Sequence, residues 1–396
     1  MAKPAIELAD IFRRHGDAYL RDHAGHVGRG ERRVMGAIAA CRTAALGGHV
    51  EQCDDCGARR IAYNSCRNRH CPKCQGAARA AWLDARKAEL LPAPYFHLVF
   101  TLPPAAAEIA FQNKRLVYAA LMRAAAEATM TLAENPKRLG ARIGMLAVLH
   151  SWGQTLTHHP HVHCVVPGGG LSLDGERWIA CKPGFFLPVK ALARLFRRLF
   201  LSALKAAFGR GELRFFGELA PLSEPRAFAE RIGSLRKMDW IVYAKPPFGG
   251  PEQVLAYLAR YAHRAAIANS RLVAAGDDEV TFSYKDYRRE GCRRTMRLPP
   301  DEFIRRFLLH VLPDGFHRIR HYGLLARGDR EKRLALCRRP AAAAAADHPV
   351  EPKVRACDDP FTAAAHVFPC PDCGGLMRRI GAVPPARARP FHCDTS

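Results

Sequence analysis

Two Cys-x-x-Cys pairs, CDDC ending at Cys56 and CPKC ending at Cys74, stand 14 residues apart near the start of the chain. Each pair lets two thiolates converge on one tetrahedral ion at about 2.3 Å, and a spacer of that length returns the second pair to the first as in a zinc ribbon. Cys53, Cys56, Cys71 and Cys74 are therefore the expected ligands of a structural zinc. The spacer also holds Cys66 and His70, which with Cys41 and His49 upstream make a candidate second site interleaved with the first. Near the other end, Cys370 and Cys373 form half a ribbon that His392 and Cys393 could complete. Disulfides would be the first thought for 14 Cys in a small secreted chain, but close CxxC groups in an otherwise intracellular composition favour metal.

At 396 residues, with 48% hydrophobic and 25% charged, the chain can bury a sizeable core divided among two or three domains. Its 61 Lys and Arg against 37 Asp and Glu leave a formal charge of +24, carried mostly by Arg along the whole length. Such a balance favours a polyanionic partner. No stretch reaches the roughly 20 apolar residues of a membrane span, and the first 20 residues lack the apolar core of a secretory signal, so the expected location is cytoplasmic.

Pattern changes along the chain suggest three parts: a helical and zinc-binding module at 1–92, a mixed α and β domain at 93–335, and a linker with a possible zinc-binding tail at 336–396. From Tyr95 the run YFHLVFTLP reads as a strand ended by Pro103 and Pro104. Further strands are expected at 143–156, 161–167, 238–244 and 279–284, and helices at 108–134, 189–208, 252–267 and 301–310. Their irregular alternation points to an α+β fold with a largely antiparallel sheet. After Arg339, PAAAAAADHPVEPK has the bias of a linker, although its six Ala could extend a helix.

In LTHHPHVHCVV, His161 and His163 are two apart in a β-branched run, so both imidazoles leave one face while Val162, Val165 and Cys164 pack elsewhere. The strand before it carries His150, Trp152 and Gln154 on one face by the same period. A short connection at 157–160 would fold the two strands together, so that His150 or Gln154 reaches the same spot. Three protein ligands with open positions describe a catalytic metal. His158 and His159, at the bend before Pro160, read as turn or DNA contacts.

In PEQVLAYLARYAHRAAIA, helical spacing puts Leu255, Leu258, Ala262 and Ala265 on one stripe and Tyr257, Arg260, Tyr261 and Arg264 on another. The two tyrosines are i, i+4 neighbours off the apolar stripe, beside two guanidinium groups that suit phosphate. A phenol with an ordinary pKa of about 10 needs such positive charge, or a metal-polarised phosphorus, to act as a nucleophile.

HPHVHCVVPGGG followed downstream by YLARYAHR resembles the HUH and double-tyrosine motifs of rolling-circle transposases in the IS91 insertion-sequence family, relatives of the Helitron transposases. NSCRNRHCPKCQ resembles that family's N-terminal zinc-binding domain, and EFIRRFLLHVLPDGFHRIRHYGLLA its C-terminal core segment, so the likeness spans most of residues 35–330 in the family's order. The resemblance implies an HUH endonuclease-like antiparallel sheet with flanking helices. It further implies Mg²⁺ or Mn²⁺ at His161 and His163, and attack by Tyr257 or Tyr261 on single-stranded DNA at transposon ends, with rejoining to target DNA. A nucleoid-associated location goes with that partner. A relaxase or replication initiator would share the chemistry but ordinarily come with a helicase or long partner-binding region. A zinc-dependent DNA-binding protein without catalysis would leave the histidine and tyrosine faces unexplained. A hydrolytic zinc enzyme built on His150, His161 and His163 would have no use for the tyrosines.

Overall fold

The computed structural model describes residues 6–87, 89–245, 266–286, 289, 291–326, 328–347 and 369–386. At its centre is a five-stranded sheet in the order Ile319–Gly323, Gly144–Trp152, His158–Pro167, Tyr95–Thr101, Val242–Lys245, with every neighbouring pair antiparallel. The expected mixed fold with an antiparallel sheet is thus the observed one. Alternation along the strands divides the sheet into two faces. Leu98, Phe100, Met145, Ala147, Leu149, Val162, Cys164 and Val166 are buried on one face in the main core. Helices Pro104–Gln112, Lys114–Glu134, Val189–Gly209 and Pro225–Lys237 contribute the other side of that core. Ala124, Ala125 and Ala128 on the second of these helices are buried there, and side chains this small let a helix approach a sheet closely. Val165, expected to pack away from the histidines, instead shares their face and clusters with Tyr95 and Leu146. The strict period of two puts it there.

The single helix expected over 108–134 is two helices, separated at Asn113 with φ −125° and ψ 41°. Its side chain has taken over backbone partners: Nδ2 donates to the carbonyls of Ile109 at 3.1 Å and Arg214 at 2.8 Å, while Oδ1 accepts from the Arg214 N–H at 2.8 Å. The strand expected to run to 156 ends at Trp152, where Gly153 donates to the Thr157 carbonyl and Leu156 takes φ 61° to close the hairpin. Of the helix expected at 252–267, all but the last two residues lie outside the described residues.

A second core joins distant parts of the chain. Helices Leu8–Asp22 and Arg29–Ala39 pack with Val280, Phe282, Phe303 and Phe307 from the strand Val280–Asp286 and the helix Pro300–Leu308. Phe12 and Phe307 meet edge to face at 5.5 Å. The tail is not a piece apart either. Strand Met377–Val383 pairs antiparallel with Gly48–Cys53, which pairs in turn with Arg59–Tyr63. The alanine run that reads as a linker belongs to the helix Arg330–Asp347. No described helix is long and apolar enough to cross a membrane.

The shared core can be tested at Phe307, which is 1% exposed. Phe307→Ala should lower unfolding stability by about 3–5 kcal/mol. It should also speed amide exchange in Leu8–Asp22, some 290 residues away in sequence. Loss of protection confined to 300–308 would separate the two elements.

Candidate metal centres and DNA site

The hairpin of Gly144–Trp152 and His158–Pro167 sets His150 directly opposite His161, with His163 two residues further along the same face. One ligand nitrogen from each of the three lies within 4.8 Å of the others. His150 is 1% exposed and His163 8%, and Trp152 stacks on the His150 ring at 4.6 Å. Gln154, the other candidate for third ligand, is turned elsewhere. Its Oε1 faces the Lys285 N–H at 3.4 Å and its own carbonyl accepts from Arg271, because the strand has already ended at Trp152.

The partners of these rings fix which nitrogens face the cluster. His161 Nδ1 donates to the His159 carbonyl at 2.6 Å, which leaves Nε2 free to act as a ligand. His163 Nδ1 lies 2.8 Å from Nε2 of His97, a buried residue on the neighbouring strand Tyr95–Thr101 whose ring is nearly parallel to it. Burial holds the pKa values of His97 and His161 down to about 4 and that of His163 well below the usual imidazole range. Neutral imidazoles with oriented rings are the form a metal requires. The three nitrogen donors fit a divalent ion, Mn²⁺ better than Mg²⁺ by softness. Sequence reading missed His97, although a lone titratable side chain in the otherwise apolar run YFHLVFT was the available signal.

His158 and His159 stay outside the cluster. His158 Nε2 is 2.8 Å from the Tyr118 hydroxyl, and His159 offers its carbonyl to His161. Tyr257, Arg260, Tyr261 and Arg264 lie outside the described residues.

Among the described residues, eight cysteines fall into two sets of four, but not the two expected from spacing. Cys41, Cys66, Cys71 and Cys74 form one set, and Cys53, Cys56, Cys370 and Cys373 the other. Sulfur separations of 3.6 and 3.5 Å in the first, and 3.4 and 3.6 Å in the second, match the roughly 3.8 Å edge of a tetrahedron with about 2.3 Å metal–sulfur bonds. The expected set of Cys53, Cys56, Cys71 and Cys74 is split because the spacer does not simply return. Arg59–Tyr63 runs it back along Gly48–Cys53 as a hairpin, leaving Cys53 and Cys56 at the hairpin tip. Cys41 follows the helix Arg29–Ala39 and Cys74 lies in the first turn of Pro72–Lys87, so helices carry the first set.

The second set joins two matching turns. Gly57 donates to the Cys53 carbonyl and Gly374 to the Cys370 carbonyl, and these glycines take φ 71° and 79°, conformations costly for other residues. His392 and Cys393, the other candidates for completing this site, lie outside the described residues. His49 and His70 are in neither set. His49 Nε2 pairs with Glu51 at 2.9 Å, and His70 Nε2 accepts from the Leu312 N–H at 3.2 Å. Arg69 donates to the carbonyls of Leu312 and Pro313, so this basic stretch ties the thiol loop to the segment 312–316.

Residues 144–333 match the family described as "Putative transposase", and residues 11–102 the family described as "Transposase zinc-binding domain". The protein is thus a transposase with a zinc-binding domain, and DNA is the polyanion that its charge anticipates. It is 62% identical over 338 residues to "Putative transposase y4qJ" of Sinorhizobium fredii, spanning 85% of each chain. Over 292 residues it is 29% identical to "Transposase for insertion sequence element IS801" of Pseudomonas savastanoi pv. phaseolicola, spanning 73% of this chain and 68% of that one. The chain belongs to the IS91 family of insertion-sequence transposases. No solved structure matches it.

Zinc stoichiometry distinguishes the two groupings. Cys373→Ser should release one zinc, and adding Cys53→Ser to it should release no more, whereas Cys71→Ser should release a different ion. If Cys373→Ser keeps all its zinc, the second set is wrong. At the histidine cluster, His97→Phe should weaken divalent-metal affinity about 10- to 100-fold, as expected for a ligand's orienting partner. Unchanged metal affinity by calorimetry would reduce His97 to packing.

Proposed function

We propose that this transposase is an HUH strand-transfer enzyme that nicks and rejoins single-stranded DNA at transposon ends through a 5′-phosphotyrosine. The observation that carries this reading is the face shared by His150, His161 and His163, in a chain with the paired tyrosines of YLARYAHR downstream. A bound Mg²⁺ or Mn²⁺ would polarise the scissile phosphate. His161 and His163, with His150 as third ligand, would hold that ion, and His97 would orient His163.

The hydroxyl oxygen of Tyr257 or Tyr261 forms the new bond to phosphorus and gives up its proton. The bond to the 3′ oxygen breaks, and that oxygen leaves as a free hydroxyl after taking a proton. The phosphodiester energy is kept in the tyrosine ester, so the reverse attack by a 3′ hydroxyl of target DNA restores the backbone. A second tyrosine allows a second cleavage before the first ester is resolved. Arg260 and Arg264 would bind the phosphates beside them. In this reading residues 1–92 bind DNA around zinc, with Cys370 and Cys373 of the tail completing one of the sites, 93–335 carry the chemistry, and the protein works in the cytoplasm on nucleoid DNA.

The test uses the full chain, labelled single-stranded DNA from its element's termini, and Mn²⁺. A denaturant-resistant adduct should form and map to Tyr257 or Tyr261. His161→Ala, His163→Ala and the double variant Tyr257→Phe with Tyr261→Phe should each reduce the adduct by about a thousandfold or more. DNA binding should survive in all of them. Cleavage that persists without an adduct in the double Phe variant would identify a hydrolytic metal enzyme. An adduct on Tyr243 or Tyr284 would assign a different nucleophile.

A further inference from the structure

A cleft of about 680 Å³, within the size range of small-ligand sites, opens between the first helix, the helix junction at Asn113 and the segment around Arg305 to Pro313. Its lining is partly aromatic: His23 stacks at 4.3 Å on Tyr19, which is 6% exposed, and Phe111 is left 42% exposed. Lys114 Nζ lies 5.4 Å from the Phe111 centroid and donates to the Val311 carbonyl at 3.1 Å. Arg115 donates to the Asp314 backbone carbonyl. Neither cation makes a close ion pair with a carboxylate among the described residues, although Glu31 in the lining bears electrostatically on Lys114, whereas Arg305 is tied to Glu302 by two bonds.

The place of the cleft matters as much as its lining. Phe111 packs edge to face on His158 at 5.6 Å, and His158 begins the strand that carries His161 three residues on. His158 turns to the Tyr118 hydroxyl on the helix-covered face and His161 to the other, so a single strand held in the cleft would reach the histidines around the end of this strand.

We propose that this cleft receives one unstacked nucleotide of single-stranded DNA, its base against Phe111 and the Tyr19–His23 stack and its phosphate at Lys114 and Arg115. Aromatic faces accept any base, and cations beside them hold the backbone. A paired base inside a duplex cannot present its ring to either wall. The inference rests on the reading of the chain as a single-strand enzyme, and deepens it by naming where a nucleotide beyond the cleavage site is held.

The experiment uses the full chain carrying Tyr257→Phe and Tyr261→Phe, photo-crosslinked to an oligothymidylate in which iodouracil replaces single thymines. Crosslinks should map to Tyr19, His23 or Phe111, and vanish when the oligonucleotide is annealed to its complement. Phe111→Ala, at a half-exposed site, should leave the thermal midpoint nearly unchanged and weaken oligothymidylate binding roughly 5- to 100-fold. Arg115→Gln should lower the salt dependence of binding by about one phosphate contact. Crosslinks found only elsewhere, or full affinity in Phe111→Ala, would overturn the cleft. If the crosslink maps as stated while wild-type protein forms no tyrosine adduct, the cleft stands and the strand-transfer reading falls. An adduct with crosslinks elsewhere gives the reverse.

Discussion

The antiparallel register between Gly144–Trp152 and His158–Pro167 is the constraint on which both the main core and the candidate metal site depend. It places Leu149 against Val162 and Ala147 against Cys164 on the core face, and in the same stroke places His150 against His161 on the other. A slip of one residue would exchange the faces, exposing the apolar set and burying the imidazoles among helices. Hydrophobic burial along the core face therefore holds the histidine geometry in place. The site draws its precision from packing it does not take part in, and the closure of the hairpin at Leu156, with φ 61°, limits the register further.

Much of this was legible because it rests on period. The alternation in HVHCVV fixed which side chains share a face, and the same period in the preceding strand reached His150. Choosing between His150 and Gln154 was not possible from period alone, since both fall on one face. What separates them is where the strand stops, and that depends on a turn whose left-handed residue is Leu156, a type that gives no warning of it. His97 was hidden for a related reason. Its role comes from a strand 66 residues away in sequence, and no local pattern states which strands become neighbours.

The cysteines show the opposite failure, in which a strong local signal was read too locally. A 14-residue spacer suits a ribbon that returns to one ion, yet Arg59–Tyr63 spends part of it on a hairpin. Cys53 and Cys56 then take their partners from Cys370 and Cys373, more than 300 residues on. These two sit beyond both matched family segments, 11–102 and 144–333. A thiolate site of this kind binds the end of the chain to its beginning, and the pairing of Met377–Val383 with Gly48–Cys53 adds backbone hydrogen bonds to the same link. Loop closure over such a span costs roughly 2–3 kcal/mol more than over 14 residues, because the entropy grows only with the logarithm of length.

The contrast between the metal centres follows from what surrounds them. Four thiols in each cysteine set saturate a tetrahedral ion and leave no position for a substrate, so these sets can stabilise but have no room for chemistry. Three imidazoles leave positions open, and burial keeps His161 and His163 neutral. An ion bound by neutral donors keeps its full positive charge, which is what an anionic phosphate needs to meet. An all-thiolate site would cancel that charge and bind phosphate poorly. In the proposed reading the chain uses ligand charge to separate two tasks, with anionic sulfur where an ion would stay inert and neutral nitrogen where it would face DNA.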